Sequence, residues 1–395
     1  MTFQRFTGND VRSLALVLGA ILGNAEVFGL DLFLFLFFPV ALLFQANWEN
    51  RLTKLAILLF VSFLGLTALA QVQALALDIP YSQSYWLWPT KSLLLALAII
   101  AGPPLSWSSN STLLLAGLSL FLVLSGSIVG GRLYSLLGPN MLYRVFGLLL
   151  FINTFHTVKA GRAAAWLRSM TISVFAILSL MITGSTGALA VIALIIILWL
   201  SSLRRGWKLV WLLLVVVAGP QLFLAFAFQL QTSIIFSRLL YKLERIDQYD
   251  RFVAWAELFG AQFRVFGGAY TDFSHIWFEG LRYPHNLFAE LYAFYGIPGV
   301  IFIGLTCVAA LISTRAVQDG RGIVAATFLT ILLGALLSGD LSENFAVLPL
   351  ALFLVALPKS WATRSAKNIN PETELRTCMS ISSLYLNNAK NRKCR

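Results

Sequence analysis

The stretch between positions 251 and 299 holds the residues whose types and spacing could do chemistry. Arg251 and Trp255 stand four apart, Gly267 and Gly268 mark a turn, and Pro284-His285-Asn286 leads into an apolar run holding Glu290, Gly296 and Gly299. Arg264 and Arg282 lie in the same stretch. A guanidinium stays charged and matches phosphate oxygens with two parallel hydrogen bonds. Arg251 therefore suits a cationic clamp for a diphosphate. The plainer reading of Arg251 and Trp255, which share a helical face one turn apart, is an interfacial anchor with the indole at headgroup level.

The other candidates also carry plain structural readings. Asn286 can cap a helix through its side-chain oxygen, following a proline that ends the preceding loop. Glu290 falls one turn into that helix, where the N-terminal dipole favours a carboxylate; acids inside an apolar span are otherwise costly and are functional candidates by default. Gly296, Pro298 and Gly299 kink the helix or admit a close neighbour. His285 alone reads as a surface histidine at a helix start, yet it stands beside Arg282 and closes a basic loop. His275 lies further back in that loop, and His156 is the third histidine of the chain. Few histidines and the lack of an Asp-x-Asp motif argue against a metal centre. The cysteines Cys307, Cys378 and Cys394 show neither a disulfide framework nor metal-ligand spacing.

The elements that must position these residues are apolar helices. The 395 residues are 58% hydrophobic and 12% charged, about half the charge of a soluble domain. Crossing a bilayer core takes about 20 apolar residues per helix. Such runs predict an all-α polytopic transmembrane bundle of about twelve spans, with ten or eleven full crossings as the lower count. The spans fall at 12–25, 27–45, 54–73, 87–104, 112–130, 139–156, 168–184, 186–201, 207–229, 286–312, 322–338 and 342–358. Residues 1–229 form the first part of the bundle and 230–285 a large, partly helical outer loop. Residues 286–358 give the last three spans, and 359–395 a flexible basic cytoplasmic tail. Within the loop, Arg238, Lys242 and Arg245 share one helical face beside an apolar stripe of Leu239, Leu243 and Ile246, a pattern that lies in an interface near lipid phosphates.

Charge placement orients the bundle. With the N-terminus inside, twenty of the 29 Lys and Arg residues fall in cytoplasmic segments, as short loops retained in the cytoplasm require. The formal charge of +12 is thus mostly a topology signal, and nucleic acid is excluded as the expected partner. An outer loop needs no basic residues for orientation, so those of 230–285 call for another reason.

The Arg-x-x-x-Trp pair, the glycine turn, His285-Asn286 at a span start and the following Gly-x-x-G resemble the signature region of the O-antigen ligase and O-antigen polymerase family. Two upstream stretches resemble it as well: Gly131-Arg132-Leu133 followed by Gly138-Pro139-Asn140, and Thr183-Gly184-Ser185-Thr186-Gly187. Many family members carry an Arg beside the Ser of the second stretch, where this chain has Thr186, which leaves Arg132 or Arg264 to stand in. The resemblance implies a transferase in the bacterial inner membrane with both termini cytoplasmic. It would move a glycan from undecaprenyl diphosphate to a sugar hydroxyl on the periplasmic face. The acceptor is lipid A core for a ligase, or another lipid-linked glycan for a polymerase. It further implies His285 as general base, kept neutral by the charge of Arg282. Arg251, Arg264, Arg282 and Arg132 would bind the diphosphate, with Trp255, Asn286 and Glu290 in support and neither metal nor cofactor. A membrane solute transporter is the alternative from another class, and a scaffold in an envelope assembly is the third. A carrier needs polar groups near the bilayer midplane and paired broken helices, whereas the polar residues here gather at one surface.

Overall fold

The computed structural model describes residues 7–22, 25–27, 30–44, 65, 84–102, 105–129, 132–157, 163–183, 185–202, 286–314, 321–337 and 343–356. In order these form α1 (Gly8–Leu22), a hairpin of β1 (Glu26–Val27) and β2 (Leu30–Asp31), and a π-helical turn (Phe33–Phe37) that runs into α2 (Phe38–Leu43). Next come α3 (Ser84–Ala101), α4 (Ser109–Leu124) and a second hairpin of β3 (Ser127–Val129) and β4 (Arg132–Tyr134). Then follow α5 (Pro139–Thr157), α6 (Ala163–Ile182), α7 (Thr186–Ser202), α8 (Leu287–Thr314), α9 (Arg321–Leu337) and α10 (Val347–Ala356). Both hairpins are antiparallel, with Glu26 opposite Asp31 and Val129 opposite Arg132. The strands are only two or three residues long, so the described architecture is all-α.

Local chemistry sets the helix starts. Thr7 and Asp10 form a reciprocal cap at α1: the Thr7 amide donates to Asp10 Oδ2 at 2.9 Å and the Asp10 amide to Thr7 Oγ1 at 3.2 Å. Ser108 caps α4 by accepting from the Ser111 amide, and Pro139 opens α5 where its missing N–H costs nothing. α5 is the central helix. Its stretch 142–153 is buried on every side, with Leu142, Tyr143, Val145, Phe146, Leu148, Leu149 and Phe151 fully enclosed. Helices α1, α4, α6, α7 and α9 pack around it, while α8 lies along α10 and α9.

Other helices turn large apolar side chains outward. On α8, Ile301, Leu305, Val308 and Ile312 recur three or four residues apart and are all exposed, which makes one continuous stripe. Among the described residues α8 is the one helix long and apolar enough to cross a membrane by length and composition, and five others carry shorter apolar stretches of 10–17 residues.

Three of the expected spans differ in form. The one at 27–45 begins as a hairpin and becomes helical only near Phe33, where Asp31 Oδ1 accepts from the Leu34 amide. The one at 112–130 ends at Leu124 and passes into β3, and the last helix runs only from Val347 to Ala356. The spans at 54–73 and 207–229, the loop 230–285 and the tail 359–395 lie outside the described residues, apart from position 65.

The largest departure is in α8. Gly296 has φ 64° and ψ −158°, a conformation that side-chain-bearing residues avoid, and Pro298 follows without an amide hydrogen. The resulting bend is sharp. A Cβ added at Gly304 would lie 3.7 Å from the Phe288 ring, although sixteen residues of straight helix span about 24 Å. The half before the bend, 287–295, is short, and its side chains are buried apart from that of Phe288. The half after it, 297–314, is about 27 Å long and carries the exposed stripe. Replacing Gly296 with Ala is expected to cost about 1–3 kcal/mol, the penalty for forcing such a backbone on an L-residue. Gly304→Ala meets only ordinary contact and should be near neutral. Thermal unfolding of the detergent-solubilised variants checks this, and equal melting temperatures for the two would show that the bend is not held.

Candidate functional site

The N-terminal end of α8 is built around one side chain. Asn286 Oδ1 accepts from the amides of Phe288 at 2.9 Å and Ala289 at 3.2 Å, capping the helix as the sequence predicts. Its Nδ2 donates to the carbonyl of Leu336 at 2.9 Å, in the last turn of α9. A single amide thus satisfies orphan groups of two helix ends at once. Glu290, one turn on, is 1% exposed and faces the interior of the bundle.

The same end of α9 meets a fully buried cation. Arg144, in the second turn of α5, has its Nε where a Cβ on Gly334 would come within 2.7 Å, so glycine is required at that closest approach. Its guanidinium donates to Asn344 Oδ1 at 3.0 Å and to the Glu343 carbonyl at 3.4 Å, with the Glu343 carboxylate 3.8 Å away. Two residues later a second buried cation arrives from α3. Lys91 pairs with Asp31 and sits over the Phe345 ring, 5.8 Å from its centroid, while Ser92 Oγ donates to the Phe345 carbonyl at 2.7 Å. Phe33 also packs against Phe345, ring centroids 4.7 Å apart. Residues 334–337 and 343–346 are therefore the common partners of polar groups from α8, α5 and α3.

Two further elements belong to this end. The 183–187 turn lies beside it, since Gly187 backs onto the ring of Tyr143, the neighbour of Arg144. Inside the turn, Thr183 Oγ1 donates to the Leu180 carbonyl and accepts from the Ser185 amide. Arg132 opens β4 on the hairpin that leads to α5; it is half-buried, and its Nε has no hydrogen-bond partner among the described residues. At the opposite end, Asp10, Asn9, Ser13, Ser106 and Arg12 form a separate network. There Ser106 bridges to Asp10 Oδ1 at 3.0 Å, and Arg12 donates to the Ala98 carbonyl near the end of α3. That network closes helix ends.

Of the expected site residues, Asn286 and Glu290 stand on one helix at the polar end, and Arg132 stands on its hairpin. Arg251, Trp255, Arg264, Arg282 and His285 lie outside the described residues, as does His275. Asn286 has a firmer structural part than expected, since both ends of its amide are used by backbone. Sequence reasoning missed Asp31, Lys91, Arg144, Glu343 and Asn344. The available signal was ionisable residues inside apolar runs, of which only Glu290 was pursued. Among the described residues no group of three His, Cys, Asp or Glu side chains could hold a metal ion.

The sequence matches no family model and no curated protein.

The double use of Asn286 can be separated by substitution. Asn286→Asp keeps the capping oxygen and loses the donor to Leu336, whereas Asn286→Ala loses both. The alanine variant is expected to be less stable than wild type by about 1–2 kcal/mol from the cap alone, with the aspartate variant between the two. Thermal unfolding of the three proteins reads this directly; an aspartate variant as unstable as alanine would assign the stability to the Leu336 contact instead of the cap.

Proposed function

We propose that this protein is a multi-pass membrane glycan transferase of the O-antigen ligase type, a bundle of ten to twelve crossings in the bacterial inner membrane. In this reading both termini are cytoplasmic and residues 230–285 face the periplasm. The donor is a glycan on undecaprenyl diphosphate, and the acceptor is a sugar hydroxyl of lipid A core. A polymerase of the same family, with a lipid-linked glycan as acceptor, is the near alternative.

The observation that supports this most is the start of α8. His285 is joined directly to Asn286, whose side chain makes three hydrogen bonds, so the chain beside the imidazole has a fixed point of attachment. In the reaction, the acceptor oxygen attacks the anomeric carbon as its bond to the diphosphate oxygen breaks. His285 takes the hydroxyl proton as general base. The diphosphate leaves with its charge met by Arg251, Arg264, Arg282 and Arg132, a use of fixed cations that lowers the barrier where charge develops. Lys91 and Arg144 are both engaged with carboxylates in the bundle, which favours the loop arginines as the diphosphate ligands. Trp255 anchors the loop helix, and Glu290 supports the site from within the bundle.

One observation favours a second reading, a solute carrier: α8 is broken at Gly296, and carriers use discontinuous helices at their binding sites. The glycan transferase is preferred because the polar side chains that tie α3, α5 and α8 to residues 334–337 and 343–346 gather at one end of the bundle.

In right-side-out membrane vesicles given lipid-diphosphate glycan and acceptor, His285→Ala is expected to lower transfer by about 10²–10⁴-fold with protein abundance unchanged. Arg251→Lys should lower it too, because an ammonium lacks the planar fork. Normal transfer by the histidine variant removes the base assignment, and transfer confined to inverted vesicles overturns the orientation. Surface polysaccharide from a deletion strain separates the two family activities. Full-length chains left unattached mark a ligase, and single unpolymerised units mark a polymerase.

A further inference from the structure

The first half of α8 cannot take its position from the second half. At Gly296 the backbone leaves the helical region, and the two halves meet at a sharp bend, so 287–295 is held by what it touches. At its N-terminal end that contact is the Asn286 bond to the Leu336 carbonyl. The last turn of α9, which carries Leu336, is seated in turn on Arg144 through the close approach at Gly334. The same guanidinium holds the 343–346 turn through the Glu343 carbonyl and Asn344, and that turn leads into α10, against which α8 packs. Arg144 thus touches the α9 turn that holds Asn286 and the turn that leads into α10, and it is fully buried while doing so.

We propose that Arg144 is a positioning residue: its planar fork, seated between α9 and the 343–346 turn, sets the placement of residues 286–295 and so of the site at their N-terminal end. The inference rests on the reading that this end of α8 does the chemistry. Lysine keeps the charge and lacks both the planar fork and the Nε group that lies against Gly334. Asn344→Asp keeps the accepting oxygen, whereas Asn344→Leu removes it at similar volume.

The test has two arms. In vesicles with lipid-diphosphate glycan donor and acceptor, Arg144→Lys and Asn344→Leu should lower kcat at least tenfold with the KM for donor within twofold of wild type, and Asn344→Asp should restore most of kcat. A raised KM with kcat unchanged would make Arg144 a donor ligand and overturn the proposal, as would wild-type kinetics in both Arg144→Lys and Asn344→Leu. The second arm needs no activity. Spin labels are placed at Phe288→Cys and Leu305→Cys in protein carrying Cys307→Ala, Cys378→Ser and Cys394→Ser. In this background they should give a single distance well short of the roughly 25 Å of straight helix. Arg144→Lys should at least double the width of that distribution, and an unchanged distribution overturns the positioning role. Should wild-type protein transfer no glycan, the functional reading falls and the distance arm alone decides the role of Arg144.

Discussion

A charge withdrawn from water must be met inside the protein, and two buried cations here each find a carboxylate while resting on one short stretch of chain. Arg144 and Lys91 come from different helices, both fully buried, and both close on residues 343–345. Breaking a buried pair from one side typically costs about 3–5 kcal/mol, because the remaining charge is left in a poor solvent. That penalty ties α5 to residues 343–344 and α3 to Asp31 of the first hairpin more firmly than apolar contact could, since apolar surfaces slide past one another at little cost. In the bilayer setting proposed above the constraint is stricter still, as lipid offers no alternative partner.

The polar end follows from this tie. Once α9 and α10 are fixed relative to α3 and α5, the carbonyl of Leu336 has a defined place, and Asn286 can reach it while capping its own helix. The opposite end is closed by a separate set of groups, with Asp10, Ser106 and Arg12 satisfying helix termini. One end therefore joins α3, α5 and α8 to the end of α9 and the turn before α10, and the other stitches α1 to the end of α3.

Much of this was legible in the residues. Long apolar runs placed seven of the ten described helices to within a few positions of their ends, because an apolar segment of that length has few other ways to satisfy its backbone. The cap at Asn286 could be read from a proline, a capping side chain and an apolar run in succession. The bend at Gly296 could be foreseen as well, though its sharpness depends on a backbone conformation that glycine permits and does not dictate. What could not be read was pairing. Lys91 finds Asp31 sixty positions away, and Arg144 finds Asn344 two hundred away. Local pattern carries no trace of such partners. Lys91, Arg144, Glu343 and Asn344 all fall inside the expected spans 87–104, 139–156 and 342–358, where nothing local says which of them meet.

The break in α8 also divides how that helix can change. The segment 287–295 packs as protein core, so a substitution there must keep both volume and polarity. Beyond the break, Ile301, Leu305, Val308 and Ile312 need only stay greasy, and their exact shapes are free. Mutational drift should thus run at two speeds along one continuous element, slow on every face ahead of Gly296 and fast on the outward face behind it, with the glycine itself marking the border.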